Sequence, residues 1–246
     1  IRTSCQKCMN VSRLLRNPIG FLLLARFTVI ALSSAIEPLR IANRYAATKY
    51  VWRLISMDGA PVPDGNGLPI QPDCSIERAG PLGTLLVCAD HDPEQPATRR
   101  LVAWLRALDH AGTTLGGIDT GAFTLARAGL LKGRRVTVHW EVIDVFRERY
   151  PGIEVTQSLF EADRDRLTCA GGVAVIDMML HAIAADHGQA IAARVAEHCL
   201  HDHMRNASEL QRMTLAQGAL HRNAKLLAAI RHLESRLDTA PGTGEI

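Results

Sequence analysis

The sequence is poor in aromatic residues and has no long apolar segment. Phe, Tyr and Trp make up 4% of its 246 residues. No apolar run reaches the roughly 18 residues that a membrane-spanning helix needs, and the first residues contain no apolar stretch typical of a signal peptide. Internal repeats are also missing. These absences argue against a membrane protein and a repeat architecture, and we expect no membrane partner.

Cysteine pairs suited to a metal site are scarce as well. Of the six cysteines, only Cys5 and Cys8 have a zinc-like spacing, and no second pair follows them. Most of the others lie in apolar contexts typical of reduced, buried thiols in a cytoplasmic protein. His198, His201 and His203 are close in sequence, but a polar surface explains them better than a metal cluster. We therefore expect a cytoplasmic protein without a metal site or cofactor.

What is present is the composition of a soluble globular protein, with 47% hydrophobic and 22% charged residues. Short apolar runs typical of buried strands alternate with helix-like segments up to about residue 200. Residues 58–72, rich in proline and glycine, are predicted as turns. The alternation predicts an α/β fold: a three-layer sandwich with a mostly parallel sheet, flavodoxin-like or amidotransferase-like, plus C-terminal helices. The predicted strands are 19–24, 50–57, 84–89, 114–118, 135–138, 153–157, 159–162 and 167–169, and the predicted helices are 30–45, 98–111, 121–131, 140–150, 172–185 and 189–200.

The chain divides into three predicted regions. Residues 1–17 are polar and basic, and we expect them to be disordered or tag-like. Residues 18–200 form the α/β domain. Residues 201–246 are predicted as a helical linker in which one amphipathic helix spans 222–237. The formal net charge of +3 is too small to indicate nucleic-acid binding by itself.

The most informative stretch is the Gly-x-Asp-x-Gly motif of residues 117–121. A short apolar strand runs into it, and a helix-like segment follows at once. This is the layout of a nucleophile elbow, a sharp turn that presents one side chain above the carboxyl edge of a parallel sheet. The position that would carry Ser or Cys in an enzyme carries Asp119. A carboxylate is a poor nucleophile for acyl transfer, so the motif predicts an active-site scaffold without its reactive atom.

Several side chains are predicted to surround this turn. Asp119, beside Thr120, would act as an anionic anchor for a ligand or as a cap for the next helix. Trp140 would present its ring to a cationic ligand, although a core position is slightly favoured. His139 would contact a ligand or a carboxylate, or would be a satisfied residue at a strand end. Asp90, after the strand at 84–89, would line the same crevice or lie in a solvated loop.

Five segments together resemble one known family. They are EPLRIAN at 37–43, GIDTGAF at 117–123, ARAGLLKG at 126–133, TVHWE at 137–141 and DRLTCAGG at 165–172. In this order they are similar to the amidotransferase-like domain of GlxA-type transcriptional regulators, a branch of the ThiJ/PfpI superfamily. In those regulators the domain precedes an AraC-type DNA-binding domain. The resemblance covers roughly residues 18–237.

The resemblance implies a ligand-sensing domain that has lost catalysis. ThiJ/PfpI enzymes carry a Cys at the elbow, where this chain has Asp119, and a Glu early in the first helix, at a position that corresponds to Ala31 when counted from Phe27. A thiol mechanism needs the thiolate. The expected effector is a small amine or amino-acid-derived metabolite, with a cationic nitrogen favoured. Two alternatives stay open: a superfamily enzyme with a non-cysteine mechanism (hydrolase, hydratase or glyoxalase-like), and a purely structural dimerisation module.

The DNA-binding part is predicted to be incomplete. The helix at 222–237 looks like the first helix of an AraC-type domain, and no helix-turn-helix follows it in the sequence. We therefore expect DNA binding only through a C-terminal domain missing here, and a homodimer as the assembly of the regulator.

Overall fold

Eleven strands and six helices are found in the part of the chain that the computed structural model describes, residues 13–89 and 98–212. The strands are β1 (Ile19–Leu23), β2 (Trp52–Ser56), β3 (Val62–Pro63), β4 (Pro69–Ile70), β5 (Cys74–Ser75), β6 (Thr84–Cys88), β7 (Thr114–Ile118), β8 (Arg135–Thr137), β9 (Glu154–Thr156), β10 (Phe160–Asp163) and β11 (Arg166–Cys169). The helices are α1 (Val29–Ala42), α2 (Arg99–His110), α3 (Gly121–Arg127), α4 (Ile143–Arg149), α5 (Ala174–His187) and α6 (Gln189–His198).

A seven-stranded sheet forms the centre of the domain, in the order β10-β11-β7-β6-β1-β2-β5. All neighbouring pairs are parallel except β10 and β11, which are antiparallel. Every residue of β1, β6 and β7 is buried. Strands covered on both faces need apolar residues on both faces, which explains why they appear in the sequence as continuous apolar runs.

Helices cover both faces of the sheet, so the predicted three-layer sandwich is confirmed. One hydrophobic core contains the buried side chains of α1, α5 and α6, and a second contains those of α2, α3 and α4. The chain therefore changes faces twice, once between α1 and α2 and again between α4 and α5. This doubly wound arrangement leaves a crevice at the carboxyl ends of the central strands, where ligands of such folds bind.

Two predicted segments differ from the structure. Residues 58–72 are not only turns, because β3 and β4 form a small antiparallel hairpin within them. Strands of two residues that contain proline give no alternating pattern, so the sequence offered no signal. The predicted helix at 140–150 begins as a 3₁₀ turn, Trp140–Val142, and becomes α-helical only at Ile143.

The N-terminal boundary also needs a correction. The prediction that residues 1–17 are disordered is wrong for residues 13–17, because Leu15 is only 1% exposed. The backbone N–H groups of Leu14 and Leu15 donate hydrogen bonds to the Asp186 carboxylate on α5, at 2.8 and 3.3 Å. Residues 1–12, including Cys5 and Cys8, lie outside the described residues.

The chain divides into two compact units, Ile1–Glu209 and Leu210–Ile246. The predicted linker therefore begins later than residue 200, since residues 201–209 belong to the first unit. The predicted helix at 222–237 lies outside the described residues. Within the described ranges, no helix has both the length and the apolar character needed to cross a membrane.

Candidate functional site

The turn between β7 and α3 has the geometry of an elbow. β7 ends at Ile118 and α3 begins at Gly121, with only Asp119 and Thr120 between them. Asp119 has a φ of 61°, in the left-handed region that non-glycine residues rarely adopt. Its side chain is 1% exposed. The prediction of a strained aspartate at a strand-to-helix turn is confirmed.

Glycines make this turn possible because the backbones on either side of it nearly touch. A Cβ on Gly121 would lie 2.1 Å from the carbonyl oxygen of Val87, on the neighbouring strand β6. A Cβ on Gly117 would lie 2.4 Å from the backbone nitrogen of Ala122. Gly171 makes room from the side of β11, since its Cβ would approach the Asp119 Oδ2 atom to 2.8 Å. The first two approaches leave no space for a side chain at either end of the turn, and the third lies against the Asp119 carboxylate.

Asp119 is attached to two further elements. Its backbone N–H donates a hydrogen bond to the carbonyl of Cys169 at 2.9 Å, which joins the turn to the end of β11. The hydroxyl of Thr28, just before α1, donates to Asp119 Oδ2 at 3.3 Å. Ala31, which corresponds to the Glu of the ThiJ/PfpI enzymes, is buried in the first turn of α1.

Two cysteines flank the strand that carries the elbow. Ile118, the last residue of β7, pairs with Cys88 on one side and with Cys169 on the other. Burial raises the pKa of both thiols to about 12, and the negative charge of Asp119 contributes to the increase at Cys169. Both are therefore neutral thiols at pH 7. Since the thiolate is the reactive species, neither is suited to replace the missing elbow nucleophile.

His139 and Trp140 lie together at the turn between β8 and α4, with ring centroids 5.4 Å apart. The His139 Nδ1 atom accepts a hydrogen bond from the backbone N–H of Glu141 at 3.4 Å. Trp140 is 39% exposed. The interpretation of Trp140 as a core residue is therefore wrong. In the same 3₁₀ turn, Val142 is the buried residue.

β11 connects this turn to the elbow. The backbone N–H of Thr137, two residues before His139, donates to the Thr168 hydroxyl at 2.9 Å. Thr168 pairs with Gly117 in the sheet, and the next residue, Cys169, accepts the hydrogen bond from Asp119. The structure therefore attaches both predicted groups to adjacent residues of one strand. Sequence reasoning could not find this connection because β8 and β11 are far apart in the chain.

The remaining predicted residues differ in their outcome. Thr120 is buried directly before α3, and its carbonyl accepts a hydrogen bond from the backbone N–H of Phe123. Asp90 lies outside the described residues. His201 contacts the carboxylate of Asp177 at 2.8 Å. In residues 13–89 and 98–212, no group of three or more metal-ligating side chains is close enough to hold an ion.

A cavity of about 310 Å³ opens at the carboxyl ends of β1 and β2. β3 and the two residues before it form one wall, and the start of α2 forms another. Thr124, one turn after Thr120 in α3, is part of its wall, but Asp119, Thr120, His139 and Trp140 are not among the lining residues. No local sequence pattern indicates this cavity, because its walls come from five separate segments. The lining residues are Leu23, Leu24, Ala25, Ser56, Met57, Asp58, Ala60, Pro61, Val62, Pro63, Thr98, Leu101 and Thr124.

Comparison with known proteins identifies the family to which this fold and this elbow belong. The sequence pattern of the DJ-1/PfpI family matches residues 22–185, which include the sheet, α1, the elbow and β11. The chain belongs to the DJ-1/PfpI family. Within this family it is similar to proteins described as regulators. The HTH-type transcriptional regulator CdhR of Pseudomonas aeruginosa is 47% identical over 223 residues, which are 89% of this chain and 66% of CdhR.

Two further relatives support the same relationship. The HTH-type transcriptional regulator GlxA of Rhizobium meliloti is 35% identical over 225 residues, covering 89% of this chain and 68% of GlxA. The crystal structure of an AraC family transcriptional regulator from Pseudomonas putida has a TM-score of 0.68 and 27% identity, covering 75% of this chain and all of that one. The resemblance to GlxA-type regulators is therefore confirmed. This DJ-1/PfpI chain spans somewhat less than two thirds of the length of CdhR.

Proposed function

We propose that this DJ-1/PfpI chain is the ligand-sensing part of a transcriptional regulator and that it has no catalytic activity of its own. The similarity to CdhR and GlxA supports a role in transcriptional regulation. The observation that carries the proposal is the elbow itself. It retains the strained backbone of a DJ-1/PfpI active site but presents the carboxylate of Asp119. Catalysis by a thiolate is not available there, because the two flanking thiols have a pKa of about 12.

The effector we propose is a small metabolite with a cationic nitrogen. Asp119 is a carboxylate in a buried position, where the attraction between opposite charges is stronger than in water. The exposed ring of Trp140, beside His139, offers a surface for an ammonium or guanidinium group. Both turns are attached to β11, so one ligand that contacts both would connect the centre of the sheet with α4.

Calorimetric titration tests this assignment. A panel of quaternary amines, primary amines and guanidines is titrated into the wild-type chain and into Asp119→Asn. Losing one charged partner costs about 1–3 kcal/mol, so the affinity of the ligand that binds should fall by roughly 5–150-fold. Asp58→Asn is the matched control, because Asp58 is an exposed carboxylate that lines the 310 Å³ cavity. Loss of affinity in Asp58→Asn alone would move the site from the elbow to the cavity.

An enzyme with a non-cysteine mechanism is the alternative, because the elbow scaffold is intact. Steady turnover of an amide, nitrile or glyoxal substrate that is abolished by Asp119→Ala would favour it over a sensor. For DNA, we expect the regulator to read its operator through a helix-turn-helix outside the DJ-1/PfpI domain, in keeping with the HTH-type description of CdhR and GlxA. Protection of a defined site by this chain alone, near 150 mM salt, would contradict that expectation.

A further inference from the structure

The segment that follows α6 is fastened to α5 by one buried carboxylate. We call residues 201–209 the connector segment. Asp177, in the first turn of α5, is 1% exposed. Its Oδ1 atom accepts hydrogen bonds from His201 Nε2 and from the backbone N–H of Arg205, both at 2.8 Å. Its Oδ2 atom accepts from Arg205 Nε at 2.9 Å and from Arg205 Nη2 at 2.7 Å. All four donors belong to the connector segment.

The C-terminal end of the connector segment is held by backbone hydrogen bonds to Leu159, the residue before β10. The N–H of Leu159 donates to the carbonyl oxygens of Ala207 at 3.2 Å and of Glu209 at 3.1 Å. Apolar contact is limited, since among the described residues of this segment only Met204 and Ala207 pack against the hydrophobic core, and both are only partly buried. The connector segment is therefore held mainly by polar contacts at its two ends.

The connector segment forms part of the wall of a polar cavity. Its volume is about 590 Å³, and residues 204–208 line it together with α5 and the sheet edge at β10. Glu161 is part of its wall and is held by Arg135 Nε and by the Thr156 hydroxyl, both at 2.8 Å. Because only Met204 and Ala207 of the described segment pack against the core, and both only partly, its release would expose little hydrophobic area. Release of such a segment is a local opening that leaves the core intact.

Asp177 is the contact whose loss would matter most to this arrangement. Two guanidinium N–H groups of Arg205 donate to the same carboxylate oxygen, Oδ2. Such charge-assisted hydrogen bonds are stronger than a hydrogen bond between neutral groups. Removing one partner of a buried pair leaves the other without compensation for its lost hydration. The position of the connector segment thus depends mainly on one side chain of α5. This helix packs against α1 and α6 on the same face of the sheet.

We propose that Asp177 is a releasable anchor and that the connector segment has two states, docked through Asp177 and Arg205 or released from the domain. In the docked state the chain leaves the domain at Glu209. In the released state it leaves near the end of α6, at Leu200, which gives the residues that follow a longer and freer tether. The anchor therefore determines how firmly the DJ-1/PfpI domain holds the beginning of the next part of the chain.

Hydrogen exchange measured by mass spectrometry on the full chain tests this proposal. In Asp177→Asn, exchange should increase at least tenfold at the amides of Arg205 and Leu159, because both donate hydrogen bonds that depend on the docked segment. Amides of β6 and β7 should keep their wild-type protection. Unchanged exchange of the connector segment would overturn the proposal. An equal increase over the whole sheet would also overturn it, because the loss would then be global.

A matched control lies on the same helix. Asp186 fastens the other end of the chain, through Leu14 and Leu15, and also accepts a hydrogen bond from the Tyr50 hydroxyl at 3.0 Å. Asp186→Asn should increase exchange at Leu14 and Leu15 and leave the connector segment protected. If Asp177→Asn does not fold, Arg205→Gln carries the same test, because it removes the pair from the partly exposed side. Wild-type exchange in Arg205→Gln would refute the anchor.

Discussion

Asp119 and Asp177 are both 1% exposed, but the chain places them by opposite means. Asp119 lies in a turn with a φ of 61°, and Gly171 leaves the space that its side chain occupies. Asp177 lies in the regular first turn of α5 and receives four hydrogen bonds from the connector segment. The first position is strained, whereas the second has ordinary helical geometry and many partners.

The difference separates two uses of a buried carboxylate. A strained backbone costs about 1–3 kcal/mol and persists where the surrounding structure enforces it, which is common at sites that present a side chain to a ligand. A helical position carries no such cost, and its carboxylate serves the fold by pairing. The difference therefore favours Asp119 for recognition and Asp177 for attachment, and stability measurements on variants of both regions can test it.

The largest loss of stability is expected at Gly121, where the elbow has no space for a side chain. Gly121→Ala places a Cβ 2.1 Å from the Val87 carbonyl oxygen, so α3 or β6 must move. We expect the free energy of unfolding to fall by about 3 kcal/mol, measured by urea denaturation. Gly152→Ala is the matched control, since no atom lies within 4 Å of the Cβ it would add. A loss below about 1 kcal/mol in Gly121→Ala would show that the elbow is looser than its geometry indicates.

The second prediction compares glycine with alanine at the two aspartates. Asp119→Gly should be more stable than Asp119→Ala by about 1 kcal/mol, because a residue with a Cβ is disfavoured in the left-handed region. At Asp177 the order should reverse, with glycine less stable than alanine by about 1 kcal/mol inside a helix. Both variants of each pair lack the carboxylate, so the difference reports the backbone alone. If glycine were more stable than alanine at both positions, or less stable at both, the proposed difference between the two backbones would be wrong.

The smallest expected effect is on the pH dependence of stability, and it involves two histidines on α5, the helix that carries Asp177. Burial lowers the pKa of His181, on α5, from its usual 6.5, and also that of His187. Between the lowered value and 6.5 the unfolded chain binds protons that the folded chain does not. Stability is therefore complete above pH 6.5 and decreases as the pH falls below it. The double variant His181→Gln, His187→Gln should show a smaller decrease between pH 7.5 and 5.5 in urea denaturation, and an unchanged slope would contradict this assignment.

Much of the elbow could be predicted because its causes are local in the sequence. Gly117, Asp119 and Gly121 are separated by single residues, and the turn they form is set by the conformational freedom of glycine and by the strand and helix around them. The alternation of buried strands and amphipathic helices is also a local signal, and it predicted the parallel sandwich correctly. The resemblance to GlxA-type regulators rested on such short segments as well.

Contacts between distant segments could not be predicted. Cys88 and Cys169 flank Ile118 only because β6, β7 and β11 are neighbours in the sheet. Trp140 was expected in the core, and its exposure depends on how the 3₁₀ turn enters α4. The lining of the 310 Å³ cavity comes from segments that no periodicity connects.

Local sequence patterns are therefore enough to predict the class of fold, the elbow and the replacement of a thiol by the Asp119 carboxylate. Which polar groups meet depends on the packing of distant elements. Asp177 and Arg205 are 28 residues apart, and nothing in either local sequence indicates the pair. The physical reason is range: backbone conformation and burial periodicity act over a few residues, whereas the pairing of buried charges depends on how complete elements pack together.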